Sequence, residues 1–114
     1  MSRIPKSHND DVRHSAVLFA ALGDQKRLWL VSRLCHHGPA SITRLAAGAP
    51  ITRQAVTKHL RVMEEAGLVR SARRGRERVW QLEQRRLEEA RRYLNQISTE
   101  WDEALEKLRA LVEG

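Results

Sequence analysis

Six side chains within ten residues carry hydrogen-bonding chemistry of one kind: Thr52, Arg53, Gln54, Thr57, Lys58 and Arg61. Arg pairs bidentately with guanine and Gln with adenine, while Thr offers a hydroxyl to phosphate and a methyl to thymine. Further along, Arg73, Arg74, Arg76 and Arg78 crowd around Gly75. Between residues 50 and 82, eight Lys/Arg stand against three Glu, a net +5. Such a cluster suits a polyanion, and a helix followed by a basic two-stranded wing suits double-stranded DNA, with base edges for the helix and backbone or minor groove for the wing. Arg53, Gln54 and Thr57 are expected to read bases, because they fall at the start of their helix, the end that helix-turn-helix proteins point at base edges. Thr52, Lys58 and Arg61 are expected on the backbone. The four arginines around Gly75 suit backbone or a narrow minor groove, whose negative potential attracts such side chains. His59, between Lys58 and Leu60, faces either the core or DNA, with a structural role as the default reading.

The elements that position these residues follow from periodicity and punctuation. Residues 1–10 are polar, contain Pro5 and show no period, which reads as a flexible arm. From 11 to 22, Val12, Ala16, Phe19 and Leu22 form one helical stripe. Asp24 then caps a second helix through about 37, with Leu28, Val31, Leu34 and Cys35 as its expected core face and Gly38-Pro39 as its stop. Ser41 caps a short third helix whose Ile42, Leu45 and Ala46 point inward. Thr52 caps a fourth from 53 to 66, with Val56, Leu60 and Met63 inward and Gly67 just past its end. A short helix, a tight turn and a second helix make a helix-turn-helix. Residues 68–73 and 77–82 read as a hairpin around Arg74-Gly75-Arg76, anchored to the helical body by Trp80.

The last segment, 83 to 112, carries a heptad seam. Leu87, Leu94, Trp101 and Leu108 fall seven apart, as do Ala90, Ile97, Ala104 and Leu111, a pattern for helix–helix packing. At 1.5 Å per residue this helix spans on the order of 45 Å. One small domain cannot cover that length, so part of the seam is expected to pack on a second copy of the chain. The expected interface comprises Val12 and Phe19 from the first helix with Leu87, Leu94, Ile97, Trp101 and Leu108 from the last. The organisation is thus an arm (1–10), a DNA-binding domain (11–82) and a dimerisation helix (83–114).

Bulk properties narrow the alternatives. The 114 residues carry a net +7, which favours a polyanionic partner. The charge is uneven: residues 83–114 hold six Lys/Arg against eight Asp/Glu, so the last helix is not part of the anion-binding face. A single cysteine, Cys35, allows no internal disulfide and fits a reducing cytosol. No apolar run reaches membrane-spanning length and the start lacks an apolar signal core, so a cytoplasmic protein without membrane association is expected. Asp10 or Asp11 with His14 makes only an isolated pair of potential metal ligands, so no metal or other cofactor is expected. No Gly-rich phosphate loop, nucleophile elbow or metal-hydrolase motif occurs, so catalysis is not expected.

The segments FAALGDQKRLWLVSRL, SITRLA and ITRQAVTKHLRVMEEAGLVRSARRGRERVWQL, from Phe19 to Leu82, resemble the ArsR-type family of winged helix-turn-helix repressors, with KHLRVMEEAGLV the most specific run. The resemblance implies a mainly α fold with a small β-hairpin, a homodimer through the first and last helices, and repression at a palindromic operator, often the protein's own. Metal-sensing members carry a Cys-x-Cys pair in the helix before the recognition helix, where this chain has SITRLAAGAP. Others place Asp and His ligands on the last helix, which here has no His or Cys. The chain therefore resembles the branch without metal sites, and no effector is readable. A metal-responsive regulator of the same family and a winged-helix interaction module without sequence-specific DNA binding are the alternatives.

Overall fold

A computed structural model describes residues 6–113. In chain order it shows α1 (Lys6–Leu22), α2 (Gln25–His37), β1 (Ala40–Ser41), α3 (Ile42–Ala46), α4 (Arg53–Glu65), β2 (Val69–Arg74), β3 (Glu77–Leu82) and α5 (Gln84–Glu113). Helix starts follow their caps. The Asp24 carboxylate accepts the Lys26 and Arg27 amides at 2.9 and 3.0 Å. Ser41 Oγ accepts the Arg44 amide at 3.3 Å, and Thr52 Oγ1 accepts that of Ala55 at 3.1 Å. Each bond satisfies a donor that the first helical turn leaves without a backbone partner. Helix α4 closes at Gly67, φ +78°, with the Leu68 amide returning to the Met63 carbonyl at 2.8 Å. This is the Schellman closure, which needs a left-handed residue and so favours glycine.

The core lies where the helices meet the sheet. Leu18 (α1), Leu30 (α2), Leu45 (α3), Val56, Leu60 and Met63 (α4) and Leu68 are fully buried. Trp80 from β3 and Ala90 from α5 complete the cluster. The sheet is antiparallel in the order β1-β3-β2. Buried Trp80 anchors the hairpin to the helices, as expected, although its indole N–H has no hydrogen-bond partner. No helix among the described residues is long and apolar enough to cross a membrane.

Several expectations are corrected. Residues 6–10, read as part of the arm, are the first turns of α1; residues 1–5 lie outside the described residues. Nothing between Lys6 and Leu22 breaks a helix, and propagation costs little once a helix is nucleated, but without apolar residues there is no period to detect. On α1 the buried strip is Ser15, Leu18 and Ala21, while Val12 and Ala16 are exposed and Phe19 half-buried. Small Ser15 and Ala21 let neighbouring helices approach; the more apolar strip beside them is left at the edge. On α2 the buried pair is Leu30 and Leu34, with Leu28 and Cys35 exposed. Leu28, Leu30 and Val31 crowd that helix, so periodicity cannot choose among them, and contact with α4 and β3 selects Leu30. Strand β1 went unread because two residues show no alternation; it pairs Ala40 with Trp80 and Ser41 with Val79.

The Asp24 cap has a testable pH signature. Hydrogen bonding from the Arg27 amide is the main cause holding its carboxyl below the usual range, with the Arg27 charge assisting. A depressed folded-state pKa stabilises above the ordinary carboxylate value and loses that contribution as pH falls through the folded value. Asp24→Asn is expected to be less stable than the natural chain at neutral pH and equal to it once the natural carboxyl is protonated, as read by urea midpoints measured from pH 7 to pH 2.

Candidate nucleic-acid interface

Burial of Val56, Leu60 and Met63 decides which way α4 turns. At 3.6 residues per turn, Gln54, Lys58 and Arg61 fall within an arc of roughly 60° opposite those three, with Thr57 and then Arg53 following on one side toward the core edge. Arg53, Gln54, Lys58 and Arg61 are exposed and Thr57 is half-buried. The Thr57 hydroxyl donates to the Arg53 carbonyl at 3.1 Å. Its proton is therefore engaged by the helix, leaving its lone pairs and methyl free to meet a ligand. Thr52 is engaged as the cap, and the remaining amides of that first turn favour a phosphate. Among the described residues no ion pair forms at Arg53, Lys58 or Arg61.

Half-buried His59 leaves this face and turns toward α2, where the Arg27 guanidinium lies 3.4 Å from its Nδ1. Arg27 also donates through Nε to the Ala21 carbonyl at 2.6 Å, so it ties the end of α1 to α4. That contact is the structural role read for His59.

Strand register sorts the wing arginines. Arg74 is in β2 rather than in the turn, so the loop is only Gly75-Arg76. Gly75 has φ +61° and no non-glycine residue has positive φ among the described residues, the signature of a type II′ turn. Arg74 lies opposite Glu77, and Arg73 opposite Arg78. The Arg73–Arg78 pair shares the sheet face of Ser71 and Trp80, because cross-strand partners point to the same side. Arg78 Nη1 donates to Ser71 Oγ at 2.8 Å, and Ser71 Oγ in turn reaches Glu64 of α4 at 3.5 Å. The like-charge pair thus sits on the side of the wing that faces the end of α4. Directly opposed like charges destabilise a sheet, and a bound polyanion removes that cost.

The expected helix-packing residues divide. Leu87 packs against the domain core, and Phe19 meets Tyr93 of α5 with ring centroids 6.0 Å apart. Ile97 is half-buried, whereas Val12, Leu94, Trp101 and Leu108 are exposed. Leu105, Leu111 and Val112 extend the same exposed apolar surface along α5; Leu105 and Val112, off the strict seven-residue count, were missed. The His14 ring lines an open polar cleft with Glu89, Arg92, Tyr93 and Gln96, while the Asp10 and Asp11 side chains lie outside the described residues. Among the described residues no three His, Cys, Asp or Glu side chains converge on a point suited to a metal ion.

Helix-turn-helix, paired basic strands and a long terminal helix together define a winged helix-turn-helix regulator. The chain belongs to the ArsR family of winged helix-turn-helix transcriptional regulators. A family described as a helix-turn-helix domain matches residues 22–72. The HTH-type transcriptional regulator Rv2034 of Mycobacterium tuberculosis is 37% identical over 94 residues, 82% of this chain and 84% of that one. An ArsR-like transcriptional regulator from Rhodococcus sp. RHA1 superposes with a TM-score of 0.77 at 33% identity, covering 88% of this chain and 93% of that one. The fold is shared with the homodimeric winged helix-turn-helix DNA-binding domain of Mb0332 from Mycobacterium bovis, with a TM-score of 0.64 at 18% identity over 90% of this chain and 92% of that one.

The Thr52 cap holds the first turn of α4 in place. Thr52→Ala is expected to cost about 1 kcal/mol of unfolding free energy, measurable by chemical denaturation, while Thr52→Ser, which keeps the hydroxyl, stays within a few tenths of a kcal/mol of the natural chain.

Proposed function

We propose that this regulator is a homodimeric repressor that binds a palindromic operator, including one at its own promoter. The observation that carries the reading is the joint placement of the exposed Arg53–Arg61 face of α4 and the opposed Arg73–Arg78 pair of the wing. Arg53, Gln54 and Thr57 read base edges; Thr52, Lys58 and Arg61 hold backbone; Arg73, Arg74, Arg76 and Arg78 clamp the flanking groove. The exposed Leu94, Trp101, Leu105, Leu108 and Leu111 support pairing of two copies through α1 and α5, and the Mb0332 domain is described as homodimeric. Two recognition helices in successive major grooves lie about 34–36 Å apart on one face of DNA. A dimer seated this way over a promoter excludes other proteins, which is repression. The site of action is the cytoplasm, where the operator is.

Two measurements test this reading. Operator affinity should fall steeply with salt, and Arg74→Ala with Arg76→Ala should flatten the log–log slope by roughly 0.9 for each phosphate that is no longer neutralised. An unchanged slope removes the wing from the interface, and salt-independent binding sinks the DNA reading altogether. Separately, Trp101→Glu should convert a dimer at micromolar concentration into a folded monomer in analytical ultracentrifugation; a variant that stays dimeric places the interface elsewhere.

A further inference from the structure

Arg86, in the first turn of α5, is the only charged residue buried among the described residues. Its guanidinium touches three helices at once. Nε donates to the carbonyl of Ala66, the residue that ends α4, at 3.2 Å. Nη1 donates to Glu89 Oε2 of α5 at 2.8 Å, and Nη2 donates to the His14 carbonyl of α1. The Ala66 carbonyl is one of those the last turn of α4 leaves without a helical partner, and a cation there also suits the helix dipole. Gly67 lies directly beside the contact: a Cβ there would sit at ordinary van der Waals distance, 3.4 Å from Arg86 Nε, so the glycine answers to its φ of +78° rather than to space.

Stability alone does not call for this arrangement. A buried guanidinium carries a desolvation penalty, and apolar side chains of similar volume commonly stabilise as well or better. What the planar fork supplies is fixed geometry toward several acceptors. Two other contacts join the start of α5 to the recognition unit: the Glu83 amide donates to the Leu68 carbonyl at 2.8 Å, and the Glu83 carboxylate pairs with Arg70 of β2 at 3.6 Å. Both meet at Glu83, so together they make a pivot. Arg86, nearly one turn further along α5, supplies a second point of attachment on the same side and extends it to α1.

We infer that Arg86 is a positioning residue that sets the angle of the recognition helix against the two helices bearing the exposed apolar seam, and so selects operator half-site spacing. The spacing part rests on the dimeric operator-binding function proposed above; the angular part does not. In a dimer held through α1 and α5, each recognition helix is displaced by whatever rotation the α4–α5 junction allows. Loosening that junction lets one dimer accept several half-site separations.

The test measures the angle and the spacing separately. Spin labels are placed at Arg61→Cys on α4 and Ser98→Cys on α5 in a Cys35→Ser chain, diluted with unlabelled chain so that only distances within one chain contribute. Pulsed dipolar spectroscopy without DNA is expected to give a narrow distance distribution for Arg86 and one about twofold wider for Arg86→Met and for Arg86→Lys, whose ammonium lacks the fork geometry. Circular dichroism and sedimentation are expected to show both variants folded and dimeric. On palindromic duplexes whose half-sites are moved by a base pair or two, the discrimination shown by the natural chain should drop by roughly tenfold in Arg86→Met, with affinity for an isolated half-site unchanged. A narrow distribution in Arg86→Met overturns the inference, as does a uniform affinity loss on every duplex. If Arg86→Met does not fold, Arg86→Lys carries the test, because one ammonium cannot hold the Ala66 and His14 carbonyls in the fork geometry: broadening supports the role, and an unchanged width overturns it. Should the natural chain give narrow distances yet bind no palindrome, operator binding fails while the angular role of Arg86 stands.

Discussion

The structure depends on the burial of one helical edge. Val56, Leu60 and Met63 of α4 are completely withdrawn from solvent, packed against α2, α3 and β2. With those three inside, the remaining side chains of α4 have no freedom in the direction they take. Gln54, Lys58 and Arg61 must point outward, Thr57 and Arg53 must follow on one side of them, and His59 must turn back toward α2. Rotation by one residue in one sense would bury Arg61 and Glu64, and in either sense it would expose Val56, Leu60 and Met63 at about 1.5–3 kcal/mol each. The polar face is therefore as rigid as the core beneath it, and a surface that reads base edges has to be held to within a fraction of an ångström.

The wing depends on the same core through Trp80. Its buried indole sets which side of the hairpin faces the helices, and strand alternation then distributes the arginines: Arg73 and Arg78 to one face, Arg74 to the other beside Glu77. The Arg78–Ser71–Glu64 chain of hydrogen bonds links the wing to the last turn of α4. Helix and wing are thus one unit; Arg70 pairs with Glu83, while Arg53, Lys58, Arg61, Arg73, Arg74, Arg76 and Arg78 have no carboxylate partner among the described residues. Their counterions are available for release to a polyanion, which is where nonspecific DNA affinity comes from.

Helix α5 contrasts with this unit in charge and in burial. Its first turns belong to the domain, through Arg86, Leu87 and Ala90; from Ser98 onward every described residue is exposed. The molecule is correspondingly elongated, 65 Å along its greatest dimension against 20 Å along its least. Half-buried Glu89 lies in the part of α5 that the domain covers. Its carboxyl is held below the usual range chiefly by the hydrogen bond from Arg86, so the partner that steadies the Arg86 guanidinium within α5 is ionised at neutral pH.

Much of this was legible in the residues. Caps at Asp24, Ser41 and Thr52, the glycine stop at Gly67, the strong period of α4 and the heptads of α5 are local or strictly periodic signals, and each acts through a few neighbouring atoms. They suffice to name the recognition helix and its exposed face, because a helix with a single apolar edge has only one way to lie. Tertiary structure decided what local signals leave degenerate. On α1 and α2 apolar residues occupy more than one strip, and only packing against other elements chose Leu18 over Val12 and Leu30 over Leu28. The two-residue β1 exists because Trp80 and Val79 offer it partners. Arg86 showed in the sequence only its local i,i+3 partner Glu89: one more arginine in a charged helix becomes the meeting point of α1, α4 and α5 only when the chain brings His14 and Ala66 to its other two nitrogens.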